Sequence, residues 1–226
     1  MEFSVYSCVV FRAVEAQHAI STHKLVDSFE KQHRLERLID QSKPSVVGGQ
    51  RNLHYLLYSP FRYRGRTASR FREPIDPPVF YAAERAATAM AEVAFHTRRF
   101  WRDSPDTPVP KNPKEFTVFT AEVATGKLLD LTAPPHDQQQ ARWSHPTDYA
   151  ACQQIARSCR KAGGQAIRSL SVRDPDQGAN MTLLTQDCFV GDAPLSQATW
   201  RVYISLTATR AECLTDGSRL WFSFDH

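Results

Sequence analysis

PPVFYAAERAATAMAEVAFHTRRFW, residues 77–101, decides the fold class. Pro77-Pro78 stops whatever precedes it, because proline fixes φ and offers no backbone N–H. Val79 to Ala83 is then an apolar run of buried-strand length, and Arg85 to Trp101 continues without glycine or proline as a helix. A strand feeding directly into a helix points to a fold that mixes α and β. On that helix Glu92 is the only charged side chain between Ala86 and Phe95. A carboxylate among small apolar neighbours needs a basic partner or a functional task, because burying an unpaired charge is costly. Tyr81 lies on the strand eleven residues earlier, so the strand–loop–helix connection can bring Tyr81 and Glu92 to one cleft. Plainer readings stand beside this one: Glu92 pairing with His96 at i+4, and Tyr81 as a core residue.

Working outward, Phe3 to Phe11 is rich in Val, Tyr, Phe and Cys and reads as an opening strand. Ser21 and Thr22 are N-cap candidates for an amphipathic helix carrying Leu25, Val26, Phe29, Leu35, Leu38 and Ile39, ended by Lys43-Pro44. Such a helix packs on the main core or buries its apolar face on a second copy of the chain. Gly48-Gly49 separates it from an apolar stretch, Leu53 to Tyr58. Downstream, Asp103 to Pro113 is a proline-rich loop, and Phe116 to Val123 and Leu128 to Leu131 read as two strands around the turn Thr125-Gly126. A helix over Asp148 to Arg160, with Thr147 as its cap, ends at Gly163-Gly164. Strands follow at Ala166 to Val172, Met181 to Leu184, Trp200 to Thr207 and Arg219 to Phe224. The expectation is one α+β unit, a mixed sheet core with surrounding helices, in which residues 1–52 form an N-terminal strand and helical extension and residues 53–226 the main body.

At 226 residues, with 42% hydrophobic and 23% charged content, the chain is too apolar to be a disordered tail. Its net charge of +4 says little about partners. The N-terminus lacks the pattern of a signal peptide and no apolar run approaches the ~20 residues that span a bilayer. A cytoplasmic protein is expected, with no membrane partner. The five cysteines are scattered without a C-x-x-C pair, which fits free thiols in a reducing compartment. No H-E-x-x-H, deaminase, Walker or G-x-G-x-x-G pattern occurs, so neither zinc nor a phosphate-loop fold is expected.

Phe61 to Arg72 holds Arg62, Arg64, Arg66, Arg70 and Arg72 with no acidic residue, interleaved with Phe61, Tyr63 and Phe71. Guanidinium forks bind phosphates and aromatic rings stack on bases, so the segment fits a single-stranded nucleic-acid groove or a dinucleotide pocket. A solvated basic loop has the same composition. In Ala166 to Pro175, alternation puts Ile167, Ser169 and Ser171 on one face. No G-x-S-x-G elbow surrounds either serine, which leaves a serine hydrolase at Ser171 weakly supported.

Taken in order, Phe11-Arg12-Ala13-Val14, Pro60-Phe61-Arg62-Tyr63, Ser69-Arg70-Phe71-Arg72, Phe80-Tyr81-Ala82-Ala83, Ala91-Glu92-Val93-Ala94 and Ser171-Val172-Arg173-Asp174 resemble the RES family, named for its Arg, Glu and Ser. The likeness runs from about Val10 to Trp200, in the subgroup with an N-terminal extension. The resemblance implies an ADP-ribosyltransferase-like fold and the toxin of a RES-Xre toxin–antitoxin pair that consumes NAD. Some relatives phosphorolyse NAD and others transfer ADP-ribose to a protein. It further implies that Arg70 binds the dinucleotide, Tyr81 packs against nicotinamide, Glu92 acts at the nicotinamide ribose and Ser171 hydrogen-bonds within the pocket. Arg62 and Arg12 are secondary binding candidates, and Ser169 is the alternative to Ser171. The implied partners are NAD as substrate and an Xre-like antitoxin, through which alone nucleic acid would be met, with no metal and with a homodimer left open.

Overall fold

The computed structural model describes residues 1–16, 26, 28–42, 52–63, 65–205 and 207–223. Eight strands make one mixed sheet: β1 Ser4–Glu15, β2 Phe80–Ala83, β3 Lys114–Asp130, β4 Ala166–Leu170, β5 Ala179–Leu183, β6 Ser196–Ile204, β7 Ala208–Cys213 and β8 Arg219–Ser223. Their order is β1-β2-β5-β4-β3-β6-β7-β8, and β1 also pairs with β3. That second pairing closes β1, β2, β5, β4 and β3 into a five-stranded ring, with β6, β7 and β8 continuing the sheet from β3. The ring needs β1 on both sides, so residues 4–15 are part of the sheet core. All pairings are antiparallel except β3 with β4. Parallel neighbours require a crossover, and here α4 Gln140–Trp143 and α5 Ala150–Lys161 supply it.

Strand alternation sorts the core. Tyr6, Cys8, Val10 and Val14 of β1 face the same cluster as Phe80, Phe119, Phe189, Met181 and Leu183 inside the ring, where α2, Tyr55–Arg62, adds Leu56, Leu57 and Phe61. Their alternates Phe11 and Ala13 face a second cluster, under α3, Ala86–Arg102, built from Met90, Ala91 and Ala94 against Phe116, Val118, Trp200 and Val202. The third cluster, under α5, joins Phe71, Leu129, Leu131, Trp143 and Ile167 with Tyr81. All five cysteines are free thiols.

The strand–helix reading of residues 77–101 holds, as does the α+β class. Several local readings do not. The two strands expected around Thr125-Gly126 are one, β3, because β1 pairs with both halves from Leu128 to Phe116 and keeps the chain extended through the glycine. Phe61 and Arg62 close a helix rather than opening a loop. Thr147 does not cap α5: Tyr149 holds the cap position, and the Asp148 carboxylate accepts from the Ala150 N–H at 2.9 Å. The segment beyond Trp200 is split, with β6 starting earlier, at Ser196, and β7 following it. Helix α1, Phe29–Ser42, starts later than expected, with the Ser28 hydroxyl accepting from the Lys31 N–H at 3.3 Å. Ser21, Thr22, Leu25, Lys43-Pro44 and Gly48-Gly49 lie outside the described residues.

Candidate active site

Arg70 sits in a tight turn closed by two backbone bonds between Ser69 and Arg72. Three elements fix that turn. From β2, the Tyr81 hydroxyl accepts from the Phe71 N–H at 3.0 Å and lies 2.8 Å from the Ser69 hydroxyl. From α5, the Gln153 amide donates to the Ser69 carbonyl at 3.0 Å. Arg72 is itself buried and donates to the carbonyls of Gly65 and Thr67. Burial pushes the Tyr81 phenol up, against the opposing pull of its bonds to Ser69 and Phe71, so it stays protonated at neutral pH.

The Arg70 guanidinium is held by carbonyls alone. Its Nε and one terminal nitrogen donate to the Trp143 carbonyl at 3.2 and 2.7 Å, and the other donates to the Leu170 carbonyl at 2.8 Å. A guanidinium has five N–H groups, so two are left over, and no carboxylate among the described residues pairs with the charge. A half-buried cation in this state is a site for an anion.

Ser171 follows Leu170 directly, so the carbonyl that holds Arg70 adjoins the serine that meets Glu92. The Ser171 hydroxyl donates to Glu92 Oε1 at 2.7 Å and accepts from the N–H groups of Arg173 and Asp174, both at 3.1 Å. Asn180 of β5 donates its amide to the same Oε1 at 2.8 Å. His96 Nε2 stands 3.9 Å from Oε2, and burial holds the imidazole below its usual value, so it is neutral at pH 7 and forms no ion pair with Glu92 there.

A clamp beneath the site fixes the chain segments that carry it. Asp174 accepts from Thr88 at 2.5 Å, from Arg85 at 2.9 Å and from the Gly178 N–H at 3.2 Å, joining the start of α3 to the Ser171 loop and the entry of β5. Burial alone would raise the Asp174 carboxyl, but Thr88, the Asp176 N–H, Arg85 and Gly178 together hold it below its usual range. A Cβ on Gly178 would lie 2.0 Å from Thr88 Oγ1 and 2.6 Å from Asp174 Oδ2. Gly178→Ala is therefore expected to lower stability by roughly 1–3 kcal/mol, the usual cost of overpacking, and to lower activity with it. Thermal melting and an activity assay on the same preparation check this.

Arg70, Tyr81, Glu92 and Ser171 are thus connected by hydrogen bonds together with the chain itself, at Ser69–Phe71 and at Leu170–Ser171. The remaining candidates lie elsewhere. Arg12 points into the ring, where its guanidinium stacks 4.8 Å from Phe80, bonds the Tyr81 carbonyl and is lowered by burial to about 10. It supports the backbone of β2 from behind. Arg62 ends α2, 6.0 Å over the Tyr63 ring. Ser169 is fully buried, and its hydroxyl has no hydrogen-bond partner, so it is Ser171 that meets Glu92. Arg72 turns inward, so the described arginines of the run do not all face solvent. Asn180 escaped the sequence reading because the apolar run was taken to start at Met181. Its signal was a lone amide on the face of β5 that alternation shares with Thr182, the partner of Tyr81.

The RES domain pattern matches residues 46–205. The chain belongs to the RES domain family. That match contains all four residues joined above. Among solved structures, the chain is similar to one from the crystal structure of the M. tuberculosis MbcT-MbcA toxin–antitoxin complex, at 15% identity and a TM-score of 0.47, covering 80% of this chain and 75% of that one. A comparison with curated proteins finds no match. Among the described residues no helix is long and apolar enough to cross a membrane, and no three His, Cys, Asp or Glu side chains gather as a metal site.

Proposed function

We propose that this RES chain is the toxin of a toxin–antitoxin pair and cleaves the nicotinamide–ribose bond of NAD, with phosphate or water as acceptor. The observation that carries the reading is the junction at Leu170 and Ser171, where consecutive residues bond a carboxylate-free guanidinium and a hydrogen-bonded carboxylate. The two uncommitted N–H groups of Arg70 suit the diphosphate, holding it still while the leaving group departs. As the C–N bond breaks, nicotinamide takes the bonding pair and leaves neutral, and positive charge grows on the ribose as in glycoside cleavage. Glu92 at that ribose stabilises the charge. Tyr81, whose hydroxyl bonds the turn that carries Arg70, packs against nicotinamide. The acceptor oxygen then adds to the anomeric carbon and releases its proton. No step calls on a metal. In this reading the partner is an Xre-like antitoxin and the site of action the cytoplasm.

Incubating the protein with NAD should release nicotinamide, and comparing runs with and without inorganic phosphate should identify the acceptor from the ADP-ribose product. Product attached to a protein would favour transfer of ADP-ribose instead. No nicotinamide under either condition overturns the proposal. Arg70→Ala should raise KM for NAD by roughly 10–100-fold, the scale of hydrogen bonds to a charged group, with kcat lowered less.

A further inference from the structure

We infer that Asn180 is a positioning residue that fixes which oxygen of Glu92 faces the substrate, an inference that rests on the NAD-cleavage reading of this site. Both donors that reach Glu92 converge on Oε1, Ser171 at 2.7 Å and Asn180 at 2.8 Å. The Ser171 oxygen already accepts two backbone N–H groups, so its single proton is committed to Oε1. Asn180 approaches from a separate, rigid element: β5 lies between β2 and β4, and Asn180 is paired with Ala83 on one side and Ser169 on the other. A carboxylate pinned at one oxygen by two donors from different chain segments cannot turn about its terminal torsion, which is otherwise broad and soft. Oε2 is left with His96 alone, at 3.9 Å, beyond hydrogen-bond reach. The site therefore presents Oε2 to the ribose, and Oε1 anchors it.

Positioning accounts for the residue type. Glutamate accepts only, so the group facing Oε1 must be a donor, and an amide donates without adding charge beside the reacting sugar. Leucine of similar size would leave the carboxylate held by Ser171 alone. Aspartate would set a second carboxylate against Oε1, and two such groups share one proton.

The test compares wild type, Asn180→Ala and Asn180→Asp. Asn180→Ala should lower kcat about 10-fold or more, in the range of a misplaced catalytic group, with KM for NAD changed less than about twofold, because the Arg70 contacts are untouched. Asn180→Asp, which sets a second carboxylate against Oε1 in place of a donor, should lower kcat at least as far as Asn180→Ala. A loss carried by KM, or an unchanged kcat, overturns the inference. A second measurement does not need turnover: the carbon-13 chemical shift of the Glu92 carboxyl, which reports its hydrogen bonding, should differ between Asn180→Ala and wild type at neutral pH. If wild type releases no nicotinamide, the functional reading fails, while the Glu92 resonance still decides for or against Asn180. An unchanged resonance in Asn180→Ala overturns the inference whatever the activity.

Discussion

Glu92→Gln is expected to slow nicotinamide release by roughly 10²–10³-fold, the cost of removing one preorganised electrostatic contact from a transition state, while the folded protein and its affinity for NAD change little. Glutamine keeps the length of the side chain, and its carbonyl oxygen can still accept from Ser171 and Asn180. The packing of α3 is preserved, since Met90, Ala91 and Ala94 face the core while Glu92 stands at its margin. What disappears is the negative charge that meets the developing oxocarbenium, so the effect falls on kcat. NAD binding measured by calorimetry, turnover by chromatography of nicotinamide, and a thermal melt separate the three quantities. An equal loss of binding and turnover would assign Glu92 to ground-state recognition, and unchanged turnover would remove it from the chemistry.

The residues of this site were legible in the sequence because each is locally anomalous: a lone charge on an apolar helix, an arginine in an acid-free segment, a serine closing a strand. What joins them was not. Whether Arg12 faces the site or the ring interior depends on β1 pairing with β2 and β3 at once, a relation between residues about 70 to 110 positions apart that no local period records. The same pairing carried β3 unbroken through Thr125-Gly126, where local turn chemistry argued for a break. Composition also misled in the arginine segment: five guanidinium groups in eleven residues suggested an electropositive cleft, yet Arg72 spends its donors on the carbonyls of its own loop. Arg70, by contrast, keeps two N–H groups uncommitted beside the site. The helix over residues 86–102 is legible because its length, its lack of glycine and proline and its small apolar face are all local properties.

Arg168→Ala is expected to lower stability by about 3 kcal/mol, the scale for removing one partner of a buried ion pair, and to lower Tm by about 6–12 °C for a chain of this size. Arg168 donates to both oxygens of Glu84, at 2.6 and 3.0 Å, reaches Asp130 at 3.4 Å and also bonds the Thr132 hydroxyl. Tyr6 completes the group with a 2.5 Å bond to Glu84. This network ties β1, β2, β3 and β4 together around the ring, and only about a fifth of the Arg168 and Glu84 side chains is exposed. Burial alone would raise the Glu84 carboxyl, but hydrogen bonds from Arg168 and Tyr6 hold it below its usual range. Burial and the bond to Glu84 push Tyr6 up to about 12, so it remains a donor throughout. Because the Glu84 value is depressed in the folded state, its stabilisation is complete above the unfolded value of about 4.3 and fades as pH falls through the folded value. Without Arg168, burial is opposed only by the bond from Tyr6, and the Glu84 carboxyl titrates higher than in wild type. Protonation then relieves the variant at a pH where wild type still keeps its ion pair. The gap in Tm between the two proteins should therefore be widest near neutral pH and narrow as pH falls below about 5. Thermal melts at several pH values check this, and a gap that stays constant would assign the loss to the missing side-chain volume rather than to the charge.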